Sequence, residues 1–342
     1  MRRAVGIGDA RLGLVLLAIS VGALPAMIAA GRFADRFGAG LVPLTLVAFA
    51  VAGALPAFST SAWMLAALLL VVGAASGALD IAINARGNAI EAVMGVRVMD
   101  GLHASFSAGV VVGGVAAGLA RRAGAEPSAI LLVVCAVLLG IAAVNYRGRP
   151  LPPAPAARAP LHAQLVLVGA VLAIAFVVES GVETWSALLI ENSLGASPAV
   201  SGLGPGLFAA AMLAGRVVAQ RVRRGSAATR IAIAGGAAAA GLALSSAAHA
   251  PAVALAGFVV AGIGLALSAP TLFRLAGRLG AAPAISTVAV LGYVGFLAGP
   301  PLIGAVAGLS SIRGGFVFLC GTGVVLVTTA PILRRLVAEC SR

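Results

Sequence analysis

Eleven apolar runs, separated by short hydrophilic breaks, govern what this chain of 342 residues can become. They lie at about 12–30, 41–58, 62–83, 102–120, 128–145, 164–189, 199–219, 229–247, 251–272, 284–306 and 314–333. A helix of about 20 apolar residues crosses the hydrocarbon core of a bilayer. Only a helix or a closed barrel satisfies its backbone polar groups there, and runs of this length belong to helices. Charged residues make up 10% of the chain, against about 25% in soluble domains. The sequence therefore predicts an all-α, multi-pass membrane protein.

The basic excess is made of arginine, 23 residues with no lysine, for a net charge of +13. The arginines sit in the breaks between apolar runs, and aromatic residues are only 5% of the chain. That distribution fits the positive-inside bias of membrane proteins and not a nucleic-acid surface. The breaks at 31–40, 84–101, 146–163, 216–230, 273–283 and 334–342 hold 17 of the 23 arginines. They read as cytoplasmic, with a cytoplasmic C-terminus. Cys135, Cys320 and Cys340 share no motif spacing, and the three histidines are scattered, so no metal site or disulfide framework is expected. No P-loop and no nucleophile–base constellation is present, which argues against an enzyme and against ATP bound on this chain. No cofactor is expected.

The break RGRPLPPAPAARAP, Arg147 to Pro160, is rich in proline and arginine and reads as an extended linker. It divides the chain into an N-terminal bundle (1–146, five spans), a linker (147–163) and a C-terminal bundle (164–342, six spans). The halves echo each other. Gly109/Gly113 and Gly114/Gly118 in one, and Gly295/Gly299 and Gly304/Gly308 in the other, have the four-residue spacing that lets helix backbones approach in lipid. Paired repeats are common in secondary transporters.

A few polar residues interrupt the spans. In FVVESGVETWSALL, Glu179 and Glu183 share one helix face. On the bounds above, Glu179 lies about 22 Å along from Gln164, in the outer half of the membrane, and Glu183 about 28 Å along. Two carboxylates this close in a low dielectric do not readily both ionise, the behaviour a proton-coupled carrier uses. Glu183 also admits a plain reading as a solvated acid beside Trp185, a residue of the interfacial belt or of a cavity wall. Asp80 and Asn84 share a face at the end of the span 62–83 and either line a cavity or meet a cytoplasmic arginine. His103, at the start of a glycine-rich span, could gate by pH or simply cap the helix, and Tyr293 either lines the cavity or bridges helices.

The break GRFADRFGAG, Gly31 to Gly40, resembles the signature loop of the major facilitator superfamily between its second and third helices. LDIAINARGNAIE, GLHASFSAG and LGYVGFLAGPPLIG are similar to an uncharacterised bacterial inner-membrane branch of that superfamily. The resemblance implies two helical bundles related by a pseudo-two-fold axis around a central cavity. It implies a cytoplasmic gate at Gly31, Asp35, Arg36 and Gly38. AGRVVAQRVRR resembles the second-half copy of this loop, with Gln220 where an aspartate is expected. If Gly31–Gly40 follows helix two, the first visible span is helix two. About eleven of twelve helices are then present, with a start placed too late or a truncated chain as the expected reason and a genuine eleven-helix protein as the alternative. The implied function is secondary active transport of a small solute across the bacterial inner membrane by alternating access, with protons coupled at Glu179 and a monomeric carrier. An uncoupled uniporter or sugar-type permease, or a non-transporting membrane protein, are the alternatives.

Overall fold

The computed structural model describes residues 8–37, 41–95, 98–145, 163–221 and 225–340, and within these all regular structure is helical. In chain order the helices are α1 (Asp9–Phe37), α2 (Leu41–Ala54, closed by a 3-10 turn at Leu55–Phe58), α3 (Ala62–Met94), α4 (Met99–Arg122) and α5 (Pro127–Asn145). Then come α6 (Ala163–Leu188, continuing as a π-helical turn at Leu189–Ser193) and α7 (Leu203–Arg221, entered from a short turn at Pro198–Ser201). They are followed by α8 (Ala227–Ala247), α9 (Pro251–Leu265), α10 (Ser268–Leu309), α11 (Ile312–Thr328) and α12 (Ala330–Cys340). Ten stretches among the described residues are long and apolar enough to cross a membrane. They coincide with ten of the eleven runs, and α4 holds the eleventh.

Several helices outlast the runs that predicted them. α1 continues through Gly31 to Phe37, where a loop was expected, and α3 continues through Asp80 and Asn84 to Met94. α10 is helical through the break expected at 273–283. The reason is that arginine, glutamate and alanine are good helix formers, so leaving the apolar core does not end a helix. The linker at 147–162 lies outside the described residues, as does Gly38.

Contacts group the chain into two compact units, one of Met1–Phe106 with Ala123–Ala156 and one of Ser107–Arg122 with Ala157–Arg342. This grouping differs from a division at the linker in one segment, the C-terminal part of α4, which packs within the second unit.

In the first unit α1 and α3 run parallel, and glycine makes that possible. A methyl group at Gly77 would lie 2.6 Å from the Ala23 carbonyl oxygen and 2.9 Å from Met27 Cγ. Gly73 faces the backbone of Ile19 in the same way, and Gly22 that of Leu70. The second unit repeats the arrangement with α7 and α9, also parallel. There a methyl at Gly262 would lie 2.7 Å from the Phe208 carbonyl oxygen, and one at Gly215 2.7 Å from that of Ile263. Each pair is separated in sequence by a single helix, α2 in one unit and α8 in the other. The two units thus share this packing, at glycines other than those whose spacing the sequence paired.

In lipid, helices gain little from the hydrophobic effect between them, so van der Waals contact and interhelical hydrogen bonds hold the bundle. α6 and α10 lie parallel, with Gly295 against Ala173, and Gly299 against Val177 and Ser180. Ser245 Oγ donates to the Ala254 carbonyl across the α8–α9 hairpin at 2.9 Å. Cys320 Sγ donates to the Ala239 carbonyl at 3.2 Å, tying α11 to α8. Not every predicted glycine contact forms: Gly114 and Gly118 meet backbone, whereas Gly109 and Gly113 face open space.

Gly295→Leu should lower the melting temperature in detergent by the equivalent of about 1–3 kcal/mol of overpacking. Gly236→Leu in α8, where nothing lies within 4 Å of an added Cβ, should leave it within error. Equal melting temperatures for the two variants would show that the α6–α10 contact is not tight.

Candidate functional site

α6 brings the two predicted carboxylates into the middle of the second unit. Val171, Leu172, Ala175, Val178, Val182 and Trp185 form its buried face, and Glu179 and Glu183 fall on a neighbouring, half-buried stripe. The candidate span here is Ala163–Ser193, longer than the run 164–189. Glu179 is therefore not in one half of the span but near its centre, about 24 Å from Ala163 and about 21 Å from Ser193 at 1.5 Å per residue. Glu183 lies one turn further along.

The partner of Glu179 is Arg216 of α7, its Nη2 3.3 Å from Glu179 Oε1, with side-chain exposures of 24% and 13%. Sequence reasoning missed this pair. Counting arginines by nearness to a break placed Arg216 in the hydrophilic stretch 216–230, but α7 is helical to Arg221. Arg216 is thus 13 residues into that helix from Leu203, about 20 Å. The available signal was AGR inside the apolar run 199–219. Removing a carboxylate and a guanidinium from water costs several kcal/mol per ion, which their attraction offsets only in good geometry. The Glu179–Arg216 contact is single and long. Glu183 accepts no hydrogen bond among the described residues.

One turn from Glu179 toward Ala163, Phe176 meets Phe296 of α10 edge-on at 6.2 Å, and Tyr293 stacks on Phe296 at 5.8 Å. Tyr293 is half-buried in this aromatic group. Trp185 is neither a belt residue nor the wall of an open cavity. It is fully buried, and its indole N–H donates to the Pro300 carbonyl at 3.1 Å. The belt rule holds for lipid-facing rings, and Trp185 points into the unit.

A second ion pair stands at the far end of α6. Glu191, in the π-helical turn, receives Arg121 of α4 in a two-pronged contact, Nη2 to Oε1 at 2.8 Å and Nη1 to Oε2 at 3.0 Å. Ser201 Oγ donates to Glu191 Oε2 at 3.1 Å. Gly195, with φ of +65°, turns the chain back so that Ser201 reaches this carboxylate. The pair raises the Arg121 guanidinium above its ordinary value, chiefly through the hydrogen bonds it donates to Glu191. Beneath it α4 and α7 touch backbone to backbone: a methyl at Gly118 would lie 2.8 Å from the Pro198 carbonyl oxygen, and one at Gly114 2.9 Å from that of Gly202. Sequence reasoning left Glu191 unassigned because it falls just past the predicted span.

In the first unit, Asn84 Nδ2 donates to the Asp80 carbonyl at 2.8 Å and to Asp80 Oδ1 at 3.1 Å. Both residues sit inside α3, half-buried, in the last turns of the candidate span Ala62–Gly87, beyond which the helix continues to Met94. Gly31, Asp35 and Arg36 lie in the last turns of α1, and His103 in the first turns of α4, with side chains outside the described residues. Among the described residues no three of His, Cys, Asp and Glu come together as metal ligands would.

Comparison with known proteins places these features. The sequence profile described as Major Facilitator Superfamily matches residues 1–284. An uncharacterized MFS-type transporter of Yersinia pestis is 31% identical over 346 aligned residues, covering 96% of this chain and 88% of the relative. The membrane protein MosC of Rhizobium meliloti is 28% identical, covering 98% and 84%. Among solved structures, a bacterial homolog of the human lysosomal transporter Spinster, in an inward-facing and occupied conformation, superposes with a TM-score of 0.74 at 14% identity, covering 98% of this chain and 90% of that one. The matched profile spans most of the sequence, and the Yersinia relative is alike from end to end: the chain belongs to the Major Facilitator Superfamily.

Proposed function

We propose that this protein is a secondary active transporter of a small solute, that it works by alternating access, and that Glu179 carries the coupled proton. The observation behind this reading is the Glu179–Arg216 pair, whose carboxylate lies near the centre of the span Ala163–Ser193. Ionisable groups at that depth are costly and are kept for ion or substrate pathways. Relatives bearing the name transporter support the broader part of the reading. On the arginine distribution the protein sits in the bacterial inner membrane with a cytoplasmic C-terminus and acts as a monomer. The Arg121–Glu191 contact ties the C-terminal part of α4 to the end of α6 within the second unit. It acts as a latch that opens when the carrier faces outward, with Gly31, Asp35, Arg36 and Gly38 as its cytoplasmic counterpart.

A proton on Glu179 breaks its attraction to Arg216, and a proton lost restores it. Coupling requires that this exchange occur with the site open to one side and then the other. Glu179→Gln removes the exchange. In proteoliposomes it should abolish accumulation driven by a pH gradient, while solute exchange between the two faces continues. Accumulation equal to the wild type in both Glu179→Gln and Glu183→Gln would overturn coupling at these carboxylates, and equal exchange with no accumulation in any of the three proteins would identify an uncoupled carrier.

The latch is tested separately. Gly206 faces the backbone of Val111, where an added Cβ would lie 3.6 Å from Val111 Cα, so thiols at these two positions come within reach of a short crosslink. In a background lacking Cys135, Cys320 and Cys340, oxidised Val111→Cys/Gly206→Cys protein should lose transport and regain it on reduction. Undiminished transport by the crosslinked protein would contradict alternating access at this contact. The Arg121 side chain is 40% exposed, so Arg121→Ala alone should cost no more than about 1 kcal/mol of closed-state preference, roughly a fivefold fall in crosslinking rate.

A further inference from the structure

The two ion pairs of the second unit differ in a way that bears on the substrate. Arg121 engages Glu191 with both prongs of its guanidinium. Arg216 touches Glu179 through one nitrogen at 3.3 Å. Of the five N–H donors of a guanidinium, four at Arg216 have no protein acceptor among the described residues. A charged donor left unmatched in low dielectric is expensive, yet this side chain keeps 24% of its surface accessible. The planar fork is thus half used and reachable, and it matches a carboxylate or another flat oxyanion.

Among the described residues, Arg216 falls in the last four residues of the span Pro198–Ala219, and Arg274 and Arg278 in the last six of Pro251–Leu279. Pro251–Leu265 of α9 and Thr287–Leu309 of α10 contain no charged residue, and Arg313 starts α11 and donates to the Ser246 carbonyl at 2.6 Å. The titratable groups facing Arg216 are Glu179 and Glu183 from α6. Tyr293 of α10 belongs to the aromatic group one turn away, and α9 contributes none.

Resting on the proton-coupled reading above, we infer that Arg216 is the substrate's anchor and that the substrate is an organic monoanion, a carboxylate by class, which takes the place of Glu179 on the guanidinium. The charge count determines the coupling. While Glu179 and Arg216 cancel, an added anion brings a bare negative charge into low dielectric. One proton from solvent onto a Glu179 carboxylate oxygen breaks the ion pair and frees the fork. The substrate carboxylate then accepts the guanidinium N–H donors, and the site returns to its starting charge. One monoanion therefore moves with one proton, electroneutrally. Phe176, Phe296 and Tyr293, beside Glu179 along α6 and α10, offer an apolar surface to the body of the anion.

The purified full chain is screened by thermal shift against a panel of monocarboxylates (lactate, gluconate, pyruvate, benzoate), a neutral panel (glucose, uridine) and a cationic panel (tetraphenylphosphonium, choline), at pH 5.5 and pH 8. A bound ligand raises the melting temperature. The expected result is stabilisation by at least one monocarboxylate, its apparent Kd rising about tenfold per pH unit as one proton is linked. Arg216→Gln should weaken that ligand roughly ten- to hundredfold. Glu179→Gln should bind it with no pH dependence. Glu179→Gln/Arg216→Gln, which removes both charges, separates lost binding from lost folding. In proteoliposomes, uptake should follow the pH gradient and ignore a potassium–valinomycin potential.

Stabilisation by neutral or cationic solutes alone, or by no carboxylate at all, overturns the anion assignment and leaves proton coupling standing if a pH gradient still drives uptake. Carboxylate binding that depends on Arg216 but not on pH or Glu179 keeps the anion site, and it overturns the linkage to a proton.

Discussion

Every helix in this chain answers to one constraint: inside a bilayer no backbone N–H or C=O finds water, so each must be satisfied within its own helix. Helices that satisfy themselves have little reason to associate in lipid, where apolar side chains gain nothing by meeting one another. Close approach must come from small residues. Hence Gly73 and Gly77 of α3 lie on α1, Gly262 of α9 on α7, and Gly295 and Gly299 of α10 on α6. The same constraint fixes where polarity is tolerated. Ser245 serves the α8–α9 hairpin only because its hydroxyl reaches two carbonyls.

Against that background the charged residues fall into two kinds. Arg121 and Glu191 meet at a helix end with two-pronged geometry and a supporting serine, an arrangement that holds segments together. Glu179 and Arg216 meet between α6 and α7 through one long contact, which is poor geometry for a pair meant only to stabilise. Stripping one partner from such a pair typically costs 3–5 kcal/mol, while replacing both costs little. Selection for stability alone would not retain it. The loose geometry suits a pair that separates and re-forms, and the firm geometry suits one that closes a face of the molecule.

The helices were legible in sequence because hydropathy over about 20 residues is a strong signal. Their ends were not, since nothing at Asn84 or Gly31 stops a helix and α3 and α1 simply continue. That uncertainty propagated into the site. Extending α6 through Ser193 moved Glu179 from one half of the span to its middle and brought Glu191, left unassigned in sequence, within the span and onto Arg121. Extending α7 to Arg221 moved Arg216 from an anchoring arginine to the counter-ion of Glu179. Glu179 itself was legible because an acid amid apolar residues is rare. Its partner was hidden because an arginine near a hydrophilic break has a commoner explanation. Trp185 misled for a related reason: only packing reveals which way a ring faces, and this one faces Pro300.

The central claim is that Glu179 exchanges a proton while Arg216 lets go of it. Infrared difference spectroscopy on the protein in lipid, recorded as the pH is stepped, detects the C=O stretch of a protonated carboxylic acid directly. A carboxylic band that grows as the pH falls, and is missing from Glu179→Gln, is the predicted result. A spectrum in which that variant retains every titrating carboxyl band would contradict the account, leaving the Glu179–Arg216 pair as a fixed structural tie.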